Sequence, residues 1–118
     1  MAKSFLELAR EEAAIGYATE DRRRVRDGAE KARLAALQAT DAGMERHGLF
    51  PDPGPMAHVS RHEFLEKRGR RDLSSKLHEF ADRLHGKYFY LGAVPDKAGM
   101  EIALEEVAEY IRRVNEEI

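Results

Sequence analysis

Three prolines within five residues constrain the fold more than any other feature of this sequence. Pro51, Pro53 and Pro55 fall in "GLFPDPGPMA". Proline lacks a backbone donor and clashes inside a helix, so this stretch is neither helix interior nor central strand. Apolar residues recur with helical periodicity on both sides of it. We therefore predict one loop, residues 48–59, inside a single helical domain that spans residues 1–118.

Capping residues mark where the helices on either side begin. Ser4 and Asp21 each precede a helical pattern, and Ser60 stands three residues before Glu63, the spacing of a capping box. Asp72 is a candidate cap for the following helix. No segment alternates as a strand does. We predict an all-α fold, an antiparallel four-helix up-and-down bundle with a short extra helix after the Pro-rich loop. The predicted helices span about 4–19, 21–47, 61–68, 72–92 and 96–117.

Two helices have unusual faces. The helix over 21–47 carries a stripe of small residues, which predicts close packing along much of its length. In "YFYLG", near the end of the helix over 72–92, Tyr88 and Leu91 fall on the predicted core stripe. Phe89 and Tyr90 point away from it, and surplus aromatics of this kind are typical of a binding interface. The small-residue stripe consists of Val25, Gly28, Ala29, Ala32, Ala36, Ala39 and Gly43.

Composition excludes several classes of function. The chain has no cysteine, which rules out disulfides, thiolate chemistry and cysteine-ligated metals. Its 20 basic and 22 acidic side chains nearly balance, so net charge gives no argument for nucleic acid. No apolar run is long enough for a membrane span or a signal peptide. We expect a cytoplasmic protein without a membrane partner or a cofactor.

Four histidines are candidates for chemistry. His58 and His62 have the i, i+4 spacing of a helical metal pair, but the predicted cap at Ser60 places His58 outside the helix, and no HExxH pattern is present. His78 and His85 stand seven residues apart on one predicted face, where a proton-transfer or metal pair is an alternative to exposed histidines. We predict no metal site.

A basic cluster lies at the start of the long helix. Arg22, Arg23, Arg24 and Arg26 occur in "DRRRVR", close to the positive end of the helix dipole. Such arginines need acidic neighbours or an anionic ligand. Ion pairing at the surface is the simpler interpretation, and contact with phosphate or RNA is the alternative.

The order of the segments resembles that of a known superfamily. "EKARLAALQATDAGMERHG", the Pro-rich loop, "HVSRHEFLEK" and "LHEFADRLHGKYFYLGAVPDKAGMEIALEEVAEYI" together resemble HEPN-like proteins of the PaREP type over about residues 5–115. The resemblance implies a four-helix bundle, often a homodimer. Many HEPN proteins are ribonucleases or toxins of toxin-antitoxin pairs. Their site combines an arginine, an adjacent polar residue and a histidine that follows after four to six intervening residues. Arg71, Asp72 and His78 satisfy that spacing.

The position of this motif argues against nuclease activity. In HEPN nucleases the motif lies near the end of the helix before the last, where this chain has "FADRLHGKY". His85 is present there, but no arginine stands at the required distance. We therefore favour a non-enzymatic protein that oligomerises or binds a protein partner. The alternatives are a metal-independent ribonuclease that uses Arg71 with His78 or His85, completed across a dimer, and an RNA-binding protein that uses the arginine clusters.

Overall fold

The computed structural model describes residues 3–118, and that part of the chain is helical with no strand. The all-α class is therefore confirmed. No helix within residues 3–118 combines the length and apolar character needed to cross a membrane. The helices are α1, Phe5–Ala18; α2, Arg22–Arg46; α3, Met56–Lys67; α4, Arg71–Phe80, which continues as a π-helical segment, Ala81–Tyr90; and α5, Lys97–Glu117.

The starts of α1, α2 and α5 follow from local sequence. The Ser4 hydroxyl accepts a hydrogen bond from the Glu7 backbone N–H at 3.2 Å, and the Asp21 carboxylate accepts one from the Arg24 N–H at 3.3 Å. Asp96 does the same for Gly99 at 2.8 Å. Each side chain satisfies a donor that the first helical turn leaves unpaired. The predicted caps at Ser4 and Asp21 are confirmed.

The long helix α2 is the centre of the fold, because it packs against every other helix. All seven residues of its predicted small-residue stripe are buried. At Gly28 the backbone of α1 comes so close that an added Cβ would lie 3.1 Å from the Ala9 carbonyl oxygen and 3.1 Å from the Ala13 nitrogen. The predicted close packing is confirmed at this crossing.

Helix α3 begins five residues earlier than predicted. Ser60 lies inside the helix instead of capping it, so the predicted capping box and the start at residue 61 are wrong. Its hydroxyl donates to the Met56 carbonyl at 3.0 Å and accepts from the Asp52 N–H at 3.0 Å. The side chain thus fastens the Pro-rich loop onto the helix. As a result, His58 and His62 both lie on α3, one turn apart.

Helix α4 differs from its prediction at both ends. Its first turn has no side-chain cap, so the predicted capping role of Asp72 is wrong. Beyond Phe80 the hydrogen bonding changes to the π pattern, in which the Leu91 N–H donates to the Gly86 carbonyl, five residues back, at 3.0 Å. The wider turn moves Leu91 off the core stripe, and its side chain is 71% exposed. The predicted core position of Leu91 is therefore wrong.

The main core lies where α4 and α5 face α1 and α2. Tyr110 is the largest fully buried side chain, and its ring meets the Phe80 ring edge to face at 5.6 Å between centroids. The Thr40 hydroxyl donates to the Ala36 carbonyl at 2.9 Å, so the Tyr110 hydroxyl donates to Thr40 at 2.7 Å. The other large core residues on α4, the π-helical segment and α5 are Leu73, Leu77, Leu84, Met100, Leu104, Val107 and Val114.

Candidate functional site

Three histidines from two helices meet in a small cavity. His58 and His62 come from α3 and His78 from α4, and together with Arg33 of α2 they line a space of about 160 Å³. The remaining lining residues are Leu37, Leu77 and Ala81. We call this site the histidine groove. Sequence reasoning noticed the i, i+4 spacing of His58 and His62 but placed His58 outside the helix, and thereby missed the groove.

The rings of His62 and His78 are stacked. Their centroids are 3.6 Å apart and their planes differ by 9°. Nδ1 of His62 lies 2.7 Å from the hydroxyl of buried Ser74, which in turn lies 3.4 Å from a carboxylate oxygen of Glu66. The hydroxyl therefore donates to Glu66 and accepts from His62. This arrangement holds the His62 proton on Nδ1 and leaves Nε2 as a proton acceptor.

The groove keeps two of its histidines neutral. Burial lowers the pKa of His62, and the adjacent His78 lowers it further. His58 is more exposed, and its partial burial, assisted by the positive charges of Arg33 and Arg61, also lowers its pKa. Both imidazoles are therefore uncharged near neutral pH and can accept a proton.

Most charges around the groove are paired, although the buried Arg33 Nε has no hydrogen-bond partner within the described residues. Arg33 donates to Glu30 at 2.7 Å, and a second Glu30 oxygen lies 2.5 Å from Nδ1 of His85. Arg61 makes a two-point ion pair with Asp41, at 2.7 and 3.0 Å. The described residues contain no group of three or more metal-ligating side chains arranged to hold an ion. The groove therefore offers proton transfer by histidine and little spare charge for an anion.

The residues of the predicted nuclease motif lie in different clusters. Asp72 accepts hydrogen bonds from Arg70 at 3.1 Å and from Arg113 at 2.5 Å, and these guanidinium groups hold its pKa well below the usual range. Arg71 is exposed and forms no ion pair with any residue in the described range. His78 belongs to the histidine groove, and His85 pairs with Glu30 at its outer edge. The structure thus does not bring Asp72 into contact with either histidine.

Two of the four clustered arginines bond to backbone carbonyls of the chain itself. Arg26 donates to the carbonyls of Phe89 and Tyr90 at 2.8 and 3.2 Å, and Arg22 donates to the Gly92 carbonyl at 3.1 Å. These bonds satisfy carbonyls that the end of a helix leaves free. Two arginines therefore serve to fix the end of the π-helical segment.

The other predicted binding residues remain on the surface. Arg23 and Arg24 are exposed, and Arg24 stands 3.9 Å from the Asp21 carboxylate. The side chain of Tyr90 is 74% exposed, whereas Phe89 is partly buried and stacks on His85 with 5.8 Å between ring centroids. Arg23, Arg24 and Tyr90 are thus the members of the predicted binding set that are free to meet a ligand.

Sequence reasoning missed an open groove between α4 and α5. Its volume is about 740 Å³, and it is lined by Leu73, Lys76, Ala98, Glu101, Ile102, Glu105, Glu106, Glu109, Tyr110 and Arg113. The signal in the sequence was Ile102, an apolar residue on the outer face of α5 beside glutamates spaced four apart. We call this surface the α4–α5 groove.

The chain was compared with known proteins at three levels. No protein-family model, no curated protein and no solved structure matches it.

Proposed function

We propose that the chain is a HEPN-like protein of the PaREP type that works without catalysis, as a cytoplasmic homodimer that binds a protein partner. In this proposal α1, α2, α4 and α5 form an antiparallel up-and-down bundle and α3 is the extra helix. A role in a toxin-antitoxin type of system follows from the same resemblance. The separation of Arg71 and Asp72 from His78 and His85 supports a role without catalysis.

The observation that supports the proposed homodimer is an exposed apolar patch. It lies on the Pro-rich loop and the start of α3. Leu49, Phe50, Met56 and Val59 are 45%, 70%, 52% and 44% exposed. We call these four residues the loop patch. The sequence from Gly48 to Val59 contains Asp52 as its one charged residue, in a chain of which 36% is charged. A twofold interface places identical surfaces together, so it favours a patch without like charges.

The test is the mass of the protein in solution. Light scattering should give twice the chain mass of 13.4 kDa. Phe50→Asp should yield the monomer, because the substitution places two like charges across the twofold axis. Tyr90→Asp changes an equally exposed aromatic at the other candidate interface and should leave the dimer intact. A monomeric parent protein, or a dimer that only Tyr90→Asp disrupts, would refute the loop patch as the interface.

The stacked histidines favour a second candidate function, a metal-independent ribonuclease. Neutral His62 can take the proton of a ribose 2′ hydroxyl through Nε2. The 2′ oxygen then attacks phosphorus, the bond to the 5′ oxygen breaks, and that oxygen takes a proton from a second, protonated imidazole. His78, whose ring stacks on that of His62, is the candidate for this second group, and Arg33 lines the same cavity.

Incubation with a mixed RNA substrate tests the second candidate. Single His62→Ala and His78→Ala variants should each lose cleavage if the groove is the site. His47→Ala is the control, since the His47 ring bonds to the Ile118 carbonyl at 2.8 Å, away from the groove. Absence of cleavage by the parent protein would dismiss the ribonuclease, and cleavage that persists in both groove variants would dismiss these histidines.

A further inference from the structure

The α4–α5 groove has the dimensions of a binding site for a helix. Its lining extends along α5 from Ala98 to Arg113, about 22 Å at the rise of an α-helix. Leu73 and Lys76 of α4 line the opposite side, and Ile102 on α5 has 61% of its surface exposed. A partner helix of about four turns can lie in such a groove with an apolar stripe on Ile102.

The α5 side of the groove also carries a row of negative charges. Glu101, Glu105 and Glu109 lie one turn apart on α5 and form an acidic row beside Ile102. Its two basic residues are already engaged, Lys76 with Glu106 at 3.2 Å and Arg113 with Asp72 at 2.5 Å.

The three members of the acidic row are differently paired. Glu105 pairs with exposed Arg10 at 3.1 Å and Glu109 with exposed Arg112 at 2.5 Å, whereas Glu101 pairs with no residue in the described range. The surface open to a partner therefore combines exposed Ile102 with an acidic edge on which Glu101 is unpaired within the described residues.

We propose that this groove binds an amphipathic helix of a different protein, one with an apolar stripe flanked by lysines or arginines. Basic side chains spaced four apart on the partner would meet Glu101, Glu105 and Glu109 in turn. A second copy of this chain is a poor occupant, because a twofold axis through α5 would set one acidic row against the other. Nucleic acid is repelled for the same reason.

This proposal goes beyond the homodimer, since it concerns another surface and another partner. The loop patch lies on the loop after α2 and on α3, whereas the groove lies on α4 and α5. Light scattering tests the patch and peptide binding tests the groove, so either proposal can fail while the other stands.

Fluorescence anisotropy with a labelled model peptide tests the groove. The probe is an amphipathic helix of leucine and lysine, about 18 residues long to match the groove. A second probe carries glutamate in place of lysine. We expect the basic probe to bind the full chain and the acidic probe not to bind. Raising the salt concentration should weaken binding of the basic probe.

Matched variants show whether the probe occupies the groove. Ile102→Ser and Glu101→Lys should each raise the Kd for the basic probe at least about fivefold. Ile15→Ser removes an exposed isoleucine on α1, and Glu63→Lys makes the same charge change on exposed α3. Both controls should bind within about twofold of the parent.

Two results would overturn the proposal. One is failure of the parent protein to bind the basic probe. The other is an equal loss of binding in Glu101→Lys and Glu63→Lys, which would mean that the probe responds to overall charge. Circular dichroism of each variant confirms that it is folded, so a loss of binding can be assigned to the groove.

Discussion

At the scale of single residues, Gly28 sets the distance between α1 and α2. A methyl group there would meet backbone atoms of Ala9 and Ala13 at 3.1 Å, and backbone cannot move aside as a flexible side chain can. We expect Gly28→Ala to lower the free energy of unfolding by about 1–3 kcal/mol. Urea denaturation followed by circular dichroism measures the change.

Gly86 provides the control for this substitution. It is also helical, but its nearest neighbour for an added methyl is the Ala81 carbonyl oxygen at 3.6 Å, an ordinary contact. Gly86→Ala should therefore leave stability unchanged or raise it by up to about 1 kcal/mol. Equal destabilisation by the two substitutions would contradict the role of close backbone approach at Gly28.

The buried pair of Thr40 and Tyr110 supports a second prediction at this scale. Burial raises the pKa of Tyr110 to about 12, so its hydroxyl stays protonated and needs an acceptor. Thr40→Val removes that acceptor and should cost about 1–3 kcal/mol of unfolding free energy. Adding Tyr110→Phe should recover part of this loss, because no unpaired donor then remains. Urea denaturation of both single variants and the double variant measures this. If the changes in unfolding free energy of the two single variants simply add in the double variant, the hydrogen bond between Thr40 and Tyr110 is not what stabilises the fold.

At the scale of elements, the histidines attach α3 to α4 in a way that depends on pH. Burial keeps the pKa of His58 and His62 below the ordinary value of 6.5, so the unfolded chain binds more protons just below that pH. The unfolding free energy should therefore be constant above about pH 6.5 and fall as the pH is lowered toward about 5. The titratable and charged groups nearest these two rings are Arg33, Arg61, Glu66, His78 and His85.

Urea denaturation at a series of pH values tests this dependence. His62→Gln should flatten the slope between about pH 6.5 and 5, whereas His47→Gln, outside the groove, should not. Carboxylates with lowered pKa, such as Asp72 and Glu106, lose their contribution only at more acidic pH. An identical slope in the parent and in His62→Gln would show that the groove histidines do not couple to folding.

The sequence predicts those elements whose ends depend on neighbouring residues. Ser4 and Asp21 were recognised because each bonds to an N–H three residues away. Ser60 carries the same local signal, but its hydroxyl bonds instead to Asp52 in the loop, a contact that depends on how the loop folds back. The stacking of His62 on His78 likewise depends on the angle between α3 and α4, which no spacing within either helix encodes.

At the scale of the whole molecule, the two proposed binding surfaces differ in charge. The loop patch is nearly uncharged, whereas the α4–α5 groove is edged by glutamates. Salt screens charges but does not weaken apolar burial. We therefore expect the dimer mass to stay constant between low and high salt, while binding of the basic probe weakens. Light scattering and anisotropy on the same samples measure both, and dissociation of the dimer by salt would contradict the assignment of the loop patch.

The π-helical segment also affects how this chain is aligned with others. Motifs in helical proteins are defined by residue spacing, on the assumption that each turn advances by the same number of residues. Between Ala81 and Tyr90 that assumption fails, because the hydrogen bonds span five residues instead of four. Side chains that follow Phe80 therefore lie on faces that simple counting does not give. An alignment that includes His85 has to allow for this wider segment before its neighbours are assigned to a face.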